Sequence, residues 1–200
     1  MKKYISIVIF TLLTVVSVRA EGGSSLAAGR FLGLNGTAGA AFSYYTNPDY
    51  HTDGIRPGIK IGVDCAYPVG DRFAVGFYTT LGGGPVFSRR IAKADKDTYH
   101  NGSLPGFDIK VGLLALVGDL SDKPFIIGLA PCSGFGMCNP VIYLPIEARF
   151  GRVVGKRFYV TGNLAVGAPL GYKDGTEHYL FIEPSISLGF NFGPRKKNRQ

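Results

Sequence analysis

Tryptophan is absent from this 200-residue chain, and only 18% of its residues are charged. A helical bundle or a disordered chain would need far more charge, and neither suits 29 glycines with 12% aromatics. No convincing helical period runs through the body of the sequence. After the N-terminal segment, no run approaches the roughly 20 apolar residues of a transmembrane helix. If the chain lives in a membrane, it does so as strands. Basic–aromatic interleaving is missing too, so the net charge of +8 does not mark a nucleic-acid binder. That charge gathers instead in a tail, Pro194-Arg195-Lys196-Lys197-Asn198-Arg199, and in a loop with Arg89, Arg90, Lys93 and Lys96.

Cysteine is scarce. Cys132 and Cys138 bracket Ser-Gly-Phe-Gly-Met, a turn-prone stretch that suits a short disulfide loop in an oxidising compartment, or a reactive thiol pair. No histidine lies near them in sequence to suggest a metal, and no metal or cofactor is expected. Cys65 reads as an apolar wall residue.

What is present begins with a tripartite leader. Met1-Lys2-Lys3 is a positive start, Tyr4 to Val18 is apolar, and Val18-Arg19-Ala20 ends on a small residue before Glu21. Residues 1–20 therefore read as a cleaved signal peptide, with the uncleaved anchor helix as its alternative. No Cys follows the apolar run, which argues against a lipoprotein anchor. Residues 21–30 read as a periplasmic N-terminal segment, 31–192 as the folded domain and 193–200 as a basic C-terminal tail.

Period-two alternation runs almost throughout that domain. Leu180, Ile182, Pro184, Ile186, Leu188, Phe190 and Phe192 share one face of the last strand, against Tyr179, Phe181, Glu183, Ser185, Ser187, Gly189 and Asn191 on the other. Similar faces recur near residues 59–66, 73–81, 108–117, 142–150 and 158–170, with weaker strands at about 31–45 and 124–131. This predicts eight strands, most of them longer than the five to six residues usual in soluble domains and long enough for a tilted membrane strand of about 9–11. Short turns at 67–72, 118–123 and 152–156 alternate with longer links at 46–54, 88–104, 131–140 and 171–177. Short turns at one end and long loops at the other is the asymmetry of an outer-membrane barrel, apolar outside and polar within. Three turns repeat a detail: Arg72-Phe73, Lys123-Pro124-Phe125 and Arg157-Phe158 lead a basic residue into a Phe. With Tyr67, Phe150 and Phe192 these form an aromatic girdle at the inner interface.

On these strands, and on the terminal Glu183-Pro184-Ser185-Ile186-Ser187-Leu188-Gly189-Phe190-Asn191-Phe192, the chain resembles the small eight-stranded outer-membrane barrel families of Gram-negative bacteria. The resemblance covers about residues 30–192. It implies an all-β, antiparallel up-and-down transmembrane barrel, and a terminal aromatic residue (here Phe192) that the barrel assembly machinery recognises. An eight-residue basic tail follows Phe192, which leaves that signal internal. The resemblance fixes architecture and says little of activity.

Placing the polar faces inside makes Arg56, Lys60, Asp64, Asp108, Lys110, Glu147, Arg149 and Glu183 interior charges, four of each sign. Eight strands leave an interior just wide enough for side chains to fill, so these charges are expected to pair as a salt-bridge plug. A gated ion path is the functional alternative. His51, His100 and His178 fall on the long-loop side beside acidic residues. A lipid A-modifying enzyme would use such a His with a Ser and an acid, His178 being the best placed. Arg89, Arg90, Lys93 and Lys96 suit lipopolysaccharide phosphates, with ordinary loop solvation as the alternative. The expectation is a monomeric, non-enzymatic outer-membrane protein with a structural or adhesive role, its loops 46–54, 88–104 and 131–140 meeting an extracellular protein partner. Alternatives are a narrow channel, the lipid-modifying enzyme, and a soluble periplasmic barrel around an apolar ligand.

Overall fold

Alternation of apolar and polar residues produces one closed, inside-out wall. A computed structural model describes residues 30–92, 99–120, 122–132, 134–138, 141–154, 157–170 and 177–192. The segments read as signal peptide and basic tail, and Lys93 and Lys96, lie outside the described residues. The strands are β1 (Phe31–Thr46), β2 (Tyr50–Pro68), β3 (Phe73–Ala92), β4 (Tyr99–Val117), β5 (Phe125–Ala130), β6 (Gly136–Cys138), β7 (Val141–Val153), β8 (Phe158–Pro169) and β9 (His178–Asn191). All neighbours pair antiparallel. β9 pairs back onto β1, from Thr46↔His178 to Gly33↔Asn191, so no edge is left open. β5 and β6 share one place between β4 and β7. The wall therefore has eight positions, as in an eight-stranded barrel.

The outward faces are apolar. Ile59 is 74% exposed, and Leu113, Ile186 and Leu188 are similarly bare. The inward faces hold the buried charges and Asn35, Thr37, Thr80, Thr161, Asn163, Ser185 and Ser187. Chain parity alone sets this, because successive strand side chains point to opposite faces. Three inward tyrosines sit across the wall from glycine. Tyr159 pairs with Gly189, Tyr78 with Gly112 and Tyr143 with Gly136, and in each pair the ring lies where the glycine would otherwise carry a Cβ.

The long links are shorter than the sequence suggests. Pairing between β1 and β2 continues through Tyr45↔Thr52 to Thr46↔His51, so link 46–54 reduces to the turn Asn47–Asp49. The Asn47 carboxamide oxygen closes it by accepting from the backbone N–H of Asp49 and of Tyr50, at 2.9 and 2.8 Å. Link 88–104 is likewise largely ladder, with Ser88↔Gly102 and Ile91↔Tyr99 paired. In link 131–140, Cys132 (φ 53°) and Gly134 (φ 125°) make a wall bulge, and strand pairing resumes at Gly136. The disulfide expected there is not formed: Cys132 and Cys138 are both free. Opposite faces are the physical reason. Cys132 is exposed on the bulge, whereas Cys138 is buried in the lumen with its thiol 3.4 Å from Ser43 Oγ.

Candidate functional site

The eight interior charges converge in mid-lumen. From β2, Arg56 reaches Asp108 on β4 at 2.7 Å and Glu183 on β9 at 3.1 Å. Lys60, four residues further along β2, meets Asp108 at 3.0 Å and also bonds Glu183. Lys110 on β4 meets Glu147 on β7 at 2.7 Å and Glu183 at 3.6 Å. Arg149 Nη1 on β7 donates to Asp64 Oδ1 on β2 at 2.7 Å, and its guanidinium stacks 4.0 Å from the Tyr78 ring centroid. Asp64 also accepts from the Tyr159 hydroxyl and, at 2.9 Å, from the Asn35 amide. Four cations thus face four anions, and every one of the eight is buried. Isolated, each would be expelled or neutralised. Together they pair across the barrel, while Asp108 Oδ1, Glu147 Oε1 and the Nε and Nη2 of Arg149 are buried without a hydrogen bond among the described residues.

Apolar layers close the charge layer on both sides, which the alternation did not reveal. On the turn side, Phe31, Ala66, Ala74, Leu114, Leu116, Ile126, Val153 and Tyr159 pack together inside the wall. Leu120, from the turn after β4, packs against them. On the loop side, Ala41, Val86, Cys138, Tyr143, Ala165 and Phe181 form a second cluster, with the Tyr143 and Phe181 rings stacked at 4.0 Å. The missed signal was parity itself. Leu114, Leu116 and Ile126 occupy inward positions, where a lumen open to water would place polar groups.

The remaining sequence candidates do not join this cluster. His51 and His178 both lie opposite Thr46 in the ladder, at the loop end. Among the described residues, neither has a serine or carboxylate hydrogen-bonded to it. His100 lies opposite Arg90. Arg89 is held by Asp53 at 2.7 Å in an exposed ion pair.

The two ends differ in charge. Among the described residues, Arg30, Arg72, Lys123, Arg152 and Arg157 lie at the turn end against Asp71, Asp119 and Asp122. At the loop end, Arg89 and Arg90 stand against Asp49, Asp53 and Glu177. Since the lumen is balanced, the cationic excess among the described residues belongs to the turn end.

A closed antiparallel wall, apolar outside and filled with paired charge inside, defines a transmembrane β-barrel of the outer-membrane kind. Known structures with similarity to the chain include three such proteins. The outer membrane protein OprG from Pseudomonas aeruginosa shares 14% identity at a TM-score of 0.42, over 84% of this chain and 97% of that one. Ail, the attachment invasion locus protein of Yersinia pestis, shares 10% at 0.40, over 82% and 99%. The translocator domain of the autotransporter NalP from Neisseria meningitidis shares 11% at 0.30, over 94% and 96%. No protein-family model and no curated protein matches the chain.

Proposed function

We propose that this chain is a sealed, non-enzymatic barrel of the outer membrane, acting through its wall and its loop end rather than through its lumen. One observation carries the reading: a charge-balanced layer of ion pairs lies between two apolar layers inside an eight-position wall. An ion entering from either end would have to shed its water against apolar side chains before meeting any charge. Each of the four interior carboxylates is engaged by lysine or arginine, and among the described residues the apolar layers stand between them and either end.

Strand length supports an interaction role. A membrane-crossing strand needs about 9–11 residues, whereas β2, β3 and β4 have 19, 20 and 19. β8 has 12. On one side of the barrel the paired sheet therefore continues well past the bilayer, offering a rigid ribbon rather than a slack loop to an extracellular protein partner.

The test is membrane fractionation with electrophoresis before and after boiling, followed by planar-bilayer recording. A detergent-requiring protein that shifts on boiling and gives no unitary conductance supports the reading. Extraction without detergent overturns the membrane claim, and stepwise conductance overturns the sealed lumen.

A further inference from the structure

The turn end carries a chemistry that neither the lumen nor the loop end uses. The Arg152 guanidinium lies 5.0 Å from the Phe125 ring centroid, and Phe125 stacks in turn on Phe150 at 6.0 Å. Arg152 Nε donates to the Lys123 carbonyl at 3.1 Å, which fixes the plane and leaves both terminal nitrogens as donors. Around the wall, Arg157 lies 5.7 Å from the Phe190 ring centroid, and Phe190 packs edge-on against Phe158 and Phe192 at 5.2 and 4.7 Å. Both arginines are exposed. Among the described residues, no carboxylate pairs with either one.

We propose that these two arginine–aromatic clusters are binding sites for the phosphate of an anionic phospholipid in the leaflet that surrounds the turn end. The inference rests on the outer-membrane reading above. Three features point to this partner. A guanidinium offers two parallel donors that match phosphate oxygens, and stacking on a ring orders it beforehand. The phenylalanines beneath it face outward, where acyl chains lie, so charge and apolar surface are arranged as in a headgroup and its tails. Among the described residues this end carries five cations against three anions, which draws anionic lipid there, whereas the loop end carries two against three.

The experiment uses the full chain in nanodiscs of equal phosphatidylcholine and phosphatidylglycerol, with retained lipids counted by native mass spectrometry. The unaltered protein is expected to keep phosphatidylglycerol in preference. Each guanidinium removed in Arg152→Gln and Arg157→Gln should lower that preference roughly fivefold, while Arg89→Gln leaves it unchanged. Parity in the unaltered protein, or a double variant with undiminished preference, overturns the proposal. A boiling shift measured first separates the two readings: its absence in the unaltered protein refutes the barrel, while a shift without lipid preference refutes only the lipid sites. Should the double variant fail to refold, salt decides. A preference that survives raising the salt to about 0.5 M unchanged is not a phosphate–guanidinium contact and overturns the proposal.

Discussion

Arg149 and Asp64 hold hands across the barrel: they sit four positions apart in a wall of eight and meet at 2.7 Å in its centre. No straight aqueous path can pass between them. Removing one partner leaves the other charged and dry, the costliest way to disturb such a pair. Asp64→Ala should therefore lower stability by about 3–5 kcal/mol, read as an earlier urea midpoint for loss of the boiling shift. Asp64→Leu combined with Arg149→Met should recover most of it, because an apolar replacement of both ends leaves no orphan charge.

Sealing predicts electrical silence, and it predicts how to break it. Single neutralisations such as Glu147→Gln should yield no conductance, since the apolar layers remain. Opening needs a charge removed and both apolar layers thinned. Arg56→Ala with Tyr143→Ala takes out a guanidinium and the tyrosine hydroxyl 3.2 Å from it, and should give small unitary steps in planar bilayers if the turn-side layer is thinned as well, by Phe31→Ala. Steps from the unaltered protein would contradict the sealed lumen.

Gly189 and Gly36 separate glycines that matter for packing from those that do not. A Cβ at Gly189 would overlap the Tyr159 ring, whereas nothing lies within 4 Å of one at Gly36. Gly189→Val should displace Tyr159 from Asp64 and cost about 1–3 kcal/mol as overpacking. Gly36→Ala should stay within about 0.5 kcal/mol. Paired urea titrations in the same detergent compare them directly.

Three thiols should be countable without reductant. Alkylation of the fully denatured protein should add three groups, for Cys65, Cys132 and Cys138. A single added group would mean that Cys132 and Cys138 are joined after all.

Strand positions and the direction of each side chain were legible because a period of two leaves little choice once one face is apolar. The eight interior charges could be named for that reason: Lys60, Asp64, Glu147 and Glu183 share parity with their polar neighbours. Partner choice was not legible, because Arg149 finds Asp64 through barrel closure, at a separation of 85 residues. The apolar layers stayed hidden for a related reason. Leu114 shares parity with Asp108 and Lys110, but only the closed wall shows that it packs with Leu116, Phe31, Ile126 and Val153 into an apolar layer. Link lengths misled because Gly-rich and polar residues, read as loops at 46–54 and 131–140, pair as ladder beyond the membrane or bulge within it.

Glu183 belongs to the final strand, yet it is the anion shared by Arg56, Lys60 and Lys110 from strands made much earlier. A sheet lacking β9 would hold four cations against three anions in its forming interior. Docking of the last strand restores neutrality at the same moment that it closes the wall. Closure and charge balance are thus one event, and a chain that joins the wrong edges carries a surplus charge into the bilayer as the mark of its error.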